Sequence, residues 1–358
     1  MSLGRNFLPG PTGVHPDVLA AMNAPMFAQY GPRMPPILEE IQPALQTMLG
    51  TRQPVVTVTS SGTGMLEGMI RGAVHHRVLV AVGGFFGEYL ARVAEHCGKE
   101  VVRVNVPAGR PVEAEQIEAL LDGPPVDAVA VVHSESSTGA LAPLEDIARV
   151  VRNRPDLLFL VDAISSAAGV PIEMDRIGID FVTTGSQKAL ALPPGLAFGA
   201  ASERYLARAA TIPDAGYYFN IPRLVGMARR YQAFETPALS LYLALVVQLR
   251  RIEAAGGFPA RWRRQAALAE RFWLWADAHP AANILSPAGR RSPTVSGLIL
   301  SQGRDPVAIG QQLDAAGFLV GQAIGGATGP MLRVGHMGDV EEVHLNELIA
   351  ALEPLLAA

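Results

Sequence analysis

The sequence predicts an α/β protein: a large domain with a mostly parallel sheet and crossover helices, then a smaller C-terminal α/β domain. Three observations predict it. From Val55 to Ala201, short runs of β-branched and aliphatic residues alternate with helix-length amphipathic stretches, the pattern of parallel strands joined by helices. Several runs are apolar at every position, as in Leu157–Leu158–Phe159–Leu160–Val161, so those strands are expected to be buried on both faces. Past Ser202 the alternation gives way to an aromatic, irregular stretch, a long apolar helix and a second short set of strands.

The chain has 358 residues, a length that favours two units over a single core. A net charge of −4 leaves no electrostatic footprint for nucleic acid or an anionic membrane. Cys97 is the only cysteine, so no intrachain disulfide forms and a reducing compartment fits. No apolar run reaches the length of a membrane span. The N-terminus lacks the basic-then-apolar pattern of an exported chain. A soluble, cytoplasmic protein without a metal is expected.

Asn6 to Gly13 is an extended, turn-rich entry in which Pro9–Gly10–Pro11 leaves little room for a helix. A stiff arm of this kind can cross a dimer interface or line the mouth of a site. Pro16 to Met22 reads as a short helix with Pro in its first turn. Tyr30–Gly31–Pro32–Arg33 is a turn, and Pro36 to Leu49 is a helix with a stripe of Ile37, Ile41, Leu45 and Leu49, ended by Gly50. Val55 to Thr59 is a strand. It runs into Ser60–Ser61–Gly62–Thr63–Gly64, after which a helix is expected to open at Met65. A strand, a glycine-rich turn and a helix start can hold a phosphate on backbone N–H groups; Ser and Thr there also serve simply as caps. The turn is neither a Walker loop nor a dinucleotide fingerprint, because no Lys follows and the third glycine is misplaced.

Val78 to Val82 is the next strand, leading through Gly83–Gly84–Phe85–Phe86–Gly87 into a helix from Glu88 to Cys97. An aromatic between glycines at a strand's carboxyl end can lie flat on a planar ligand; one of the two phenylalanines is expected in the core. Cys97 reads as packing, not as a nucleophile. Val101 to Val106 is a strand, Val112 to Leu121 an amphipathic helix, and Asp127 to His133 a buried strand. The following loop, Ser134–Glu135–Ser136–Ser137–Thr138–Gly139, crowds hydroxyls and an acid. It can bond a ligand or only close a hydrogen-bonded turn. Leu144 to Val151 is a helix.

The strand from Leu157 ends in Asp162. A carboxylate there is costly without a partner. A protonated pyridine nitrogen is one such partner; capping the turn through Ser165 and Ser166 is the alternative. The next strand, Asp180 to Gly185, delivers Ser186–Gln187–Lys188 to its carboxyl end, and Pro193–Pro194–Gly195 turns the chain back. Open α/β sheets place ligands along that edge. An amine there can form a Schiff base with a carbonyl, that of pyridoxal phosphate among them. Most lysines are surface residues; the apolar approach, the nearby glycines and the acid upstream argue against that here. Polar loops at four strand ends converge on one edge.

Leu196 to Ala201 is one more strand, and Tyr205 to Ala210 is helical. An aromatic stretch holds Tyr217, Tyr218, Phe219 and Tyr231. Glu235–Thr236–Pro237 precedes a long apolar helix, Ala238 to Ala255, stopped by Gly256–Gly257 and long enough to join two lobes. A helix from Phe258 carries Trp262, Phe272, Trp273 and Trp275, and strands follow near Thr294–Leu300 and Met331–Val334. Arg333 on an otherwise apolar strand wants an anion, either a substrate carboxylate or a protein acid.

Lys188 and Asp162 at this spacing, with Ser186–Gln187–Lys188–Ala189–Leu190, resemble the class V, fold-type I pyridoxal-phosphate aminotransferases. The branch most resembled is the serine–pyruvate/alanine–glyoxylate aminotransferases. Pro9–Gly10–Pro11, Ser61–Gly62–Thr63, Phe86–Gly87, Glu135–Ser136–Ser137–Thr138–Gly139, Val161–Asp162 and Leu332–Arg333–Val334–Gly335–His336–Met337–Gly338 carry the resemblance along nearly the whole chain. It implies pyridoxal 5'-phosphate as cofactor, small amino acids and keto acids as substrates, and a homodimer with shared sites. It implies an arm at 1–20, a cofactor-binding domain at 21–255 and a small domain at 256–358.

Position by position, the resemblance makes Lys188 the Schiff-base lysine and proton shuttle and pairs Asp162 with the ring nitrogen. Phe86 would stack on the ring where many relatives have Trp, and Ile164 would pack the opposite face. Ser61, Gly62, Thr63 and Gln187 would bind the phosphate. Ser136 would sit by ring and substrate, and Arg333 would hold the substrate carboxylate. Thr236 would reach the neighbouring subunit's phosphate. Three places depart from the pattern: Ala233 stands where relatives often have Tyr, Tyr89 where Arg often follows the stacking motif, and the segment at Gln29–Tyr30–Gly31 does not match. The departures bear on the amino donor. Pyridoxamine or an aminophosphonate are alternative amines, and a non-catalytic binding protein is the alternative of a different class. A desulfurase-like lyase is disfavoured because Cys97 lies in the wrong half of the chain.

Overall fold

The computed structural model describes residues 3–213, 215–301, 303–325 and 329–357. Met1, Ser2 and Ala358, the ends of the expected arm and small domain, lie outside the described residues. The elements run β1 Asn6–Phe7, α1 Pro16–Ala21, α2 Met34–Leu49, β2 Val56–Thr59, α3 Gly62–Ala73, β3 Arg77–Val82, α4 Phe85–His96, β4 Glu100–Asn105, α5 Ala114–Leu121 and β5 Ala128–Val132. The short strands β6 Ser134–Glu135 and β7 Ala140–Leu141, α6 Leu144–Arg152, β8 Leu158–Asp162, α7 Met174–Ile177, β9 Phe181–Gly185 and β10 Leu196–Ala201 follow. Then come α8 Glu203–Ala209, α9 Ile221–Ala228, α10 Leu239–Ala254, α11 Gly257–Ala278, β11 Ala282–Ile284, β12 Val295–Leu300, α12 Pro306–Ala315, β13 Leu319–Gln322, β14 Met331–Gly335 and α13 Glu342–Ala357.

Seven strands form the large sheet in the order β2-β10-β9-β8-β5-β3-β4. From β9 to β4 every pairing is parallel. β10 runs antiparallel to both its neighbours, which leaves β2 parallel to the rest. The carboxyl ends of β2, β3, β5, β8 and β9 therefore lie along one edge.

The all-apolar strands separate their side chains with period two. Phe159 and Val161 of β8 join one core, while Leu158 and Leu160 join the core on the other face. β3 divides the same way, with Leu79 and Ala81 on one side and Val78 and Val80 on the other. Helices cover both faces, so an apolar residue is needed at every position.

The helix predicted from Pro36 to Leu49 is α2, and its stripe of Leu38, Ile41, Leu45, Met48 and Leu49 is buried. It stops at Gly50, whose φ of +63° is left-handed; a Cβ there would meet Glu173 Cα at 2.4 Å. Two local expectations are corrected. α3 opens at Gly62 rather than Met65, so the glycine-rich turn is the helix's own first turn. Neither Phe85 nor Phe86 enters the core; both are half-buried at the start of α4.

The second sheet has five strands in the order β1-β13-β14-β12-β11. Asn6 and Phe7 pair in parallel with Leu319 and Val320, and Phe7 is fully buried with Phe272, Leu298 and Leu345. The stretch read as a turn-rich entry thus begins as an edge strand. After β1 the chain crosses to the lysine loop, where the Thr12 N–H donates to the Gln187 carbonyl at 3.1 Å.

Candidate active site

The strand ends deliver their loops to a cavity of about 270 Å³. Gly10, Pro11, Ser61, Gly62, Thr63, Phe86, Tyr89, Asp162, Ile164, Gln187 and Lys188 are among its lining residues. Eight of the positions singled out from sequence meet there: Ser61, Gly62, Thr63, Phe86, Asp162, Ile164, Gln187 and Lys188. Ser136, Arg333 and Thr236 do not line it. A larger groove, about 550 Å³, runs between α2, α10 and α11. It holds an Arg250–Glu40 ion pair and none of the residues at the sheet edge.

Lys188 follows β9 by three residues, and its amine donates to the Pro9 carbonyl of the arm. Burial of the amine pushes its pKa down to about 8; Arg333 adds to the fall, while Asp162 and Glu135 oppose it. A solvated surface lysine would not behave this way. Gly10 lies against it with φ +103°, and a Cβ there would strike Lys188 Cδ at 2.5 Å. The arm fits against the lysine only because residue 10 has no side chain.

Asp162 ends β8 and is 5% exposed. Its Oδ1 accepts the Ile164 N–H at 2.8 Å, so it braces the turn at Ile164 and not through Ser165 and Ser166 as the capping alternative has it. Among the described residues it forms no ion pair. Burial pushes its pKa up to about 7; the Ile164 bond and Lys188 pull down, and Glu135 pushes further up. A buried carboxylate that faces a cavity and has no ion-pair partner in contact suits a cation from a ligand.

The loop after β2 reaches the same cavity from the other side. Ser61 stands at the N-cap of α3 in extended conformation, with no side-chain capping bond. The first N–H groups of a helix have no partner within the helix, and its dipole favours an anion there. Gly62 packs tightly under this turn: a Cβ would meet Ile164 Cδ1 at 2.5 Å. Tyr89 reaches over from α4 and donates to Thr63 Oγ1 at 3.3 Å. Phe86, the second residue of α4, has its ring centroid 5.9 Å from Lys188 Nζ.

The loop from Ser134 to Gly139 is largely a self-bonded turn. β6 and β7 pair across it, Ser137 donates to Glu135, and Ser134 bonds Ser292 at 2.7 Å. Ser136 is the exception: its hydroxyl is buried without a partner. Its carbonyl accepts Arg333 Nη1 at 3.1 Å, while Arg333 Nε donates to the Gln322 carbonyl at 2.7 Å. Arg333 has no ion pair among the described residues, so the protein-acid alternative is not realised. Thr236 is exposed and accepts a bond from Gln29 at 3.2 Å. Cys97 is half-buried and burial raises its thiol pKa, consistent with packing.

Sequence reasoning missed the Pro9 carbonyl and Tyr89 as parts of the site. No motif marks a carbonyl acceptor. Tyr89 had a signal, one helical turn beyond the aromatic pair.

The aminotransferase class-V family matches the chain over residues 20–338. The chain belongs to the class V aminotransferases. A soluble hydrogenase small subunit of Synechococcus sp. is 30% identical over 98% of this chain and 92% of its own. The L-aspartate–glyoxylate aminotransferase of Paracoccus denitrificans is 28% identical over 98% of this chain and 90% of its own. The crystal structure of an alanine–glyoxylate aminotransferase from Nostoc sp. shares the fold at a TM-score of 0.92 and 29% identity, covering 99% of this chain and 96% of that one.

As a class V aminotransferase the protein works with pyridoxal phosphate, and the residues present fit that group. The enclosed amine of Lys188 suits its aldehyde, the uncompensated carboxylate of Asp162 its ring nitrogen, and the uncapped start of α3 its phosphate. No helix among the described residues is long and apolar enough to cross a membrane.

Proposed function

We propose that the protein moves an amino group from a small amino acid, alanine or serine, to a 2-keto acid, glyoxylate or pyruvate. The observation that carries this reading is the enclosed amine and the buried carboxylate on one cavity, each with its pKa displaced by burial toward the neutral range. Groups tuned in this way belong to proton-transfer sites. Two of the similar proteins take glyoxylate as acceptor, with aspartate or alanine as donor by their names.

When bound, the coenzyme supplies an aldehyde and an electron-withdrawing ring. Lys188 would hold the coenzyme's aldehyde carbon and, as a free amine, would carry the proton to and from the substrate Cα. Asp162 keeps the ring nitrogen protonated. Ser61, Gly62, Thr63 and Gln187 would hold the phosphate, and Phe86 and Ile164 would cover the ring. Ser136 sits by ring and substrate. Arg333 presents the remainder of its guanidinium to the substrate carboxylate. A panel of alanine, serine and aspartate against glyoxylate and pyruvate tests the reading; no keto acid formed from any pair would sink it. Arg333→Lys is expected to raise KM for amino and keto acids about 10- to 100-fold, with a smaller change in kcat, as a charge-assisted bond is lost.

We also place Thr236 on the neighbouring subunit's phosphate, in a cytoplasmic homodimer, with an arm at 1–20, a cofactor-binding domain at 21–255 and a small domain at 256–358. Thr236 is exposed, far from lining its own cavity, and Tyr30, Met26 and Tyr217 are exposed apolar residues on segments bonded near it. Such a patch suits a second copy of the chain. Sedimentation is expected to give twice the 37.9 kDa chain mass; a single-chain mass would remove the shared site.

A further inference from the structure

The start of α4 carries an unusual burden. Phe86, which lies beside Lys188, occupies its second position, and the N-cap residue is Gly84, which has no side chain to cap with. A helix's first N–H groups need acceptors. Here all of the first three are met from another loop. Phe85 N–H donates to Ser137 Oγ at 3.0 Å. Phe86 N–H donates to Glu135 Oε2 at 3.0 Å and Gly87 N–H to the same oxygen at 2.9 Å. The other oxygen, Oε1, accepts the Ser137 N–H at 3.0 Å and the Ser137 hydroxyl.

Glu135 is 4% exposed and all its bonds are from protein N–H or O–H groups. A buried carboxylate is kept only where such donors compensate it. The positive end of α4 adds to that compensation. Gly84 leaves the space: a Cβ there would meet Ser137 Oγ at 2.5 Å and Glu135 Cδ at 2.7 Å. The glycine at the cap and the glutamate across from it are thus one device, a cap supplied from β6 to a helix on a different strand's end.

We propose that Glu135 is the positioning residue for the Phe86 ring, fixing the start of α4 so that the ring covers the coenzyme. The carboxylate touches neither coenzyme nor substrate; it acts through the backbone of Phe86 and Gly87. This rests on the coenzyme reading above. Its consequence is that most of the dependence of coenzyme affinity on Glu135 disappears once residue 86 has no ring to place, leaving only the effect of its charge on Lys188 and Asp162.

The test is a double-mutant cycle read by titrating the coenzyme-stripped protein with pyridoxal phosphate and by the visible circular dichroism of the bound coenzyme. Glu135→Gln is expected to weaken coenzyme binding about 3- to 30-fold, the range of a lost helix cap, and to change the dichroism band. Phe86→Leu removes the ring. In that background Glu135→Gln is expected to change affinity by a clearly smaller factor, the remainder left by its charge on Lys188 and Asp162, because coupled residues are not additive. Equal effects in both backgrounds, or none in either, would overturn the proposal. Failure of the Phe86→Leu and unsubstituted proteins to bind coenzyme at all would instead remove the reading beneath it. Should Glu135→Gln not fold, Ser137→Ala takes its place. It removes the acceptor of the Phe85 N–H, and the same loss of coupling in the Phe86→Leu background is expected; full additivity overturns the proposal.

Discussion

Replacing Lys188 with alanine is expected to lower turnover by on the order of 10⁴-fold or more and to leave the purified protein without visible absorbance. The physical ground is that one amine does two things. In the proposed reading it would hold the coenzyme covalently and, when free, would be the base that moves the substrate's proton. Ordinary lysines are protonated near neutral pH and can do neither. Burial brings Lys188 to about 8 from 10.5, so about a tenth of it is neutral at pH 7, against less than about 0.1% for a solvated lysine. Uptake of pyridoxal phosphate by the stripped protein should therefore rise about tenfold per pH unit below 8 and level off above it. An alanine variant that kept both turnover and colour would end the assignment.

Asp162→Asn is expected to have effects of opposite sign on activity and on stability. With coenzyme bound, loss of the carboxylate removes the proposed partner of the ring nitrogen, and kcat should fall about 10²- to 10³-fold, the range for deleting one preorganised electrostatic contact. Without coenzyme, the carboxylate is a liability. Its pKa is about 7 in the fold against an ordinary 3.8, from burial. The folded protein thus keeps a proton that the unfolded chain gives up. The stability this provides is complete below pH about 4 and is lost as pH rises through about 7. Asparagine does not titrate. The coenzyme-free variant should melt at or above the unsubstituted protein at pH 8, and the difference should close toward pH 4. A difference independent of pH would show that no buried carboxylate governs it.

Much of the framework could be read along the chain. β8 is apolar from Leu158 to Val161 because both faces of the sheet are buried, and that rule is local. Gly50 ends α2 and Gly256 precedes α11 for backbone reasons that also need no distant partner. β1, by contrast, is two residues long, and its partner β13 lies near the other end of the chain. No periodicity is detectable in two residues. The loop from Ser134 to Gly139 is open to two readings along the chain, and in the fold Ser137 and Thr138 bond Glu135 within the turn, Ser134 bonds Ser292, and Ser136 is left unpartnered.

By itself the sequence determined the long strands of the large sheet, and that an amine and a carboxylate stand at the ends of two of them; the short strands β1, β6, β7, β11 and β13 escaped it. Hydrophobic period, helix caps and turn residues act over a few neighbours, so they can be read without the fold. Only the tertiary structure decided how those groups behave. Lys188 is held near 8 and Asp162 near 7 by what encloses them, and α4 is capped by a glutamate from another loop. Burial and through-space bonding depend on which distant segments share an edge of the sheet, and that is set by the packing of the whole chain.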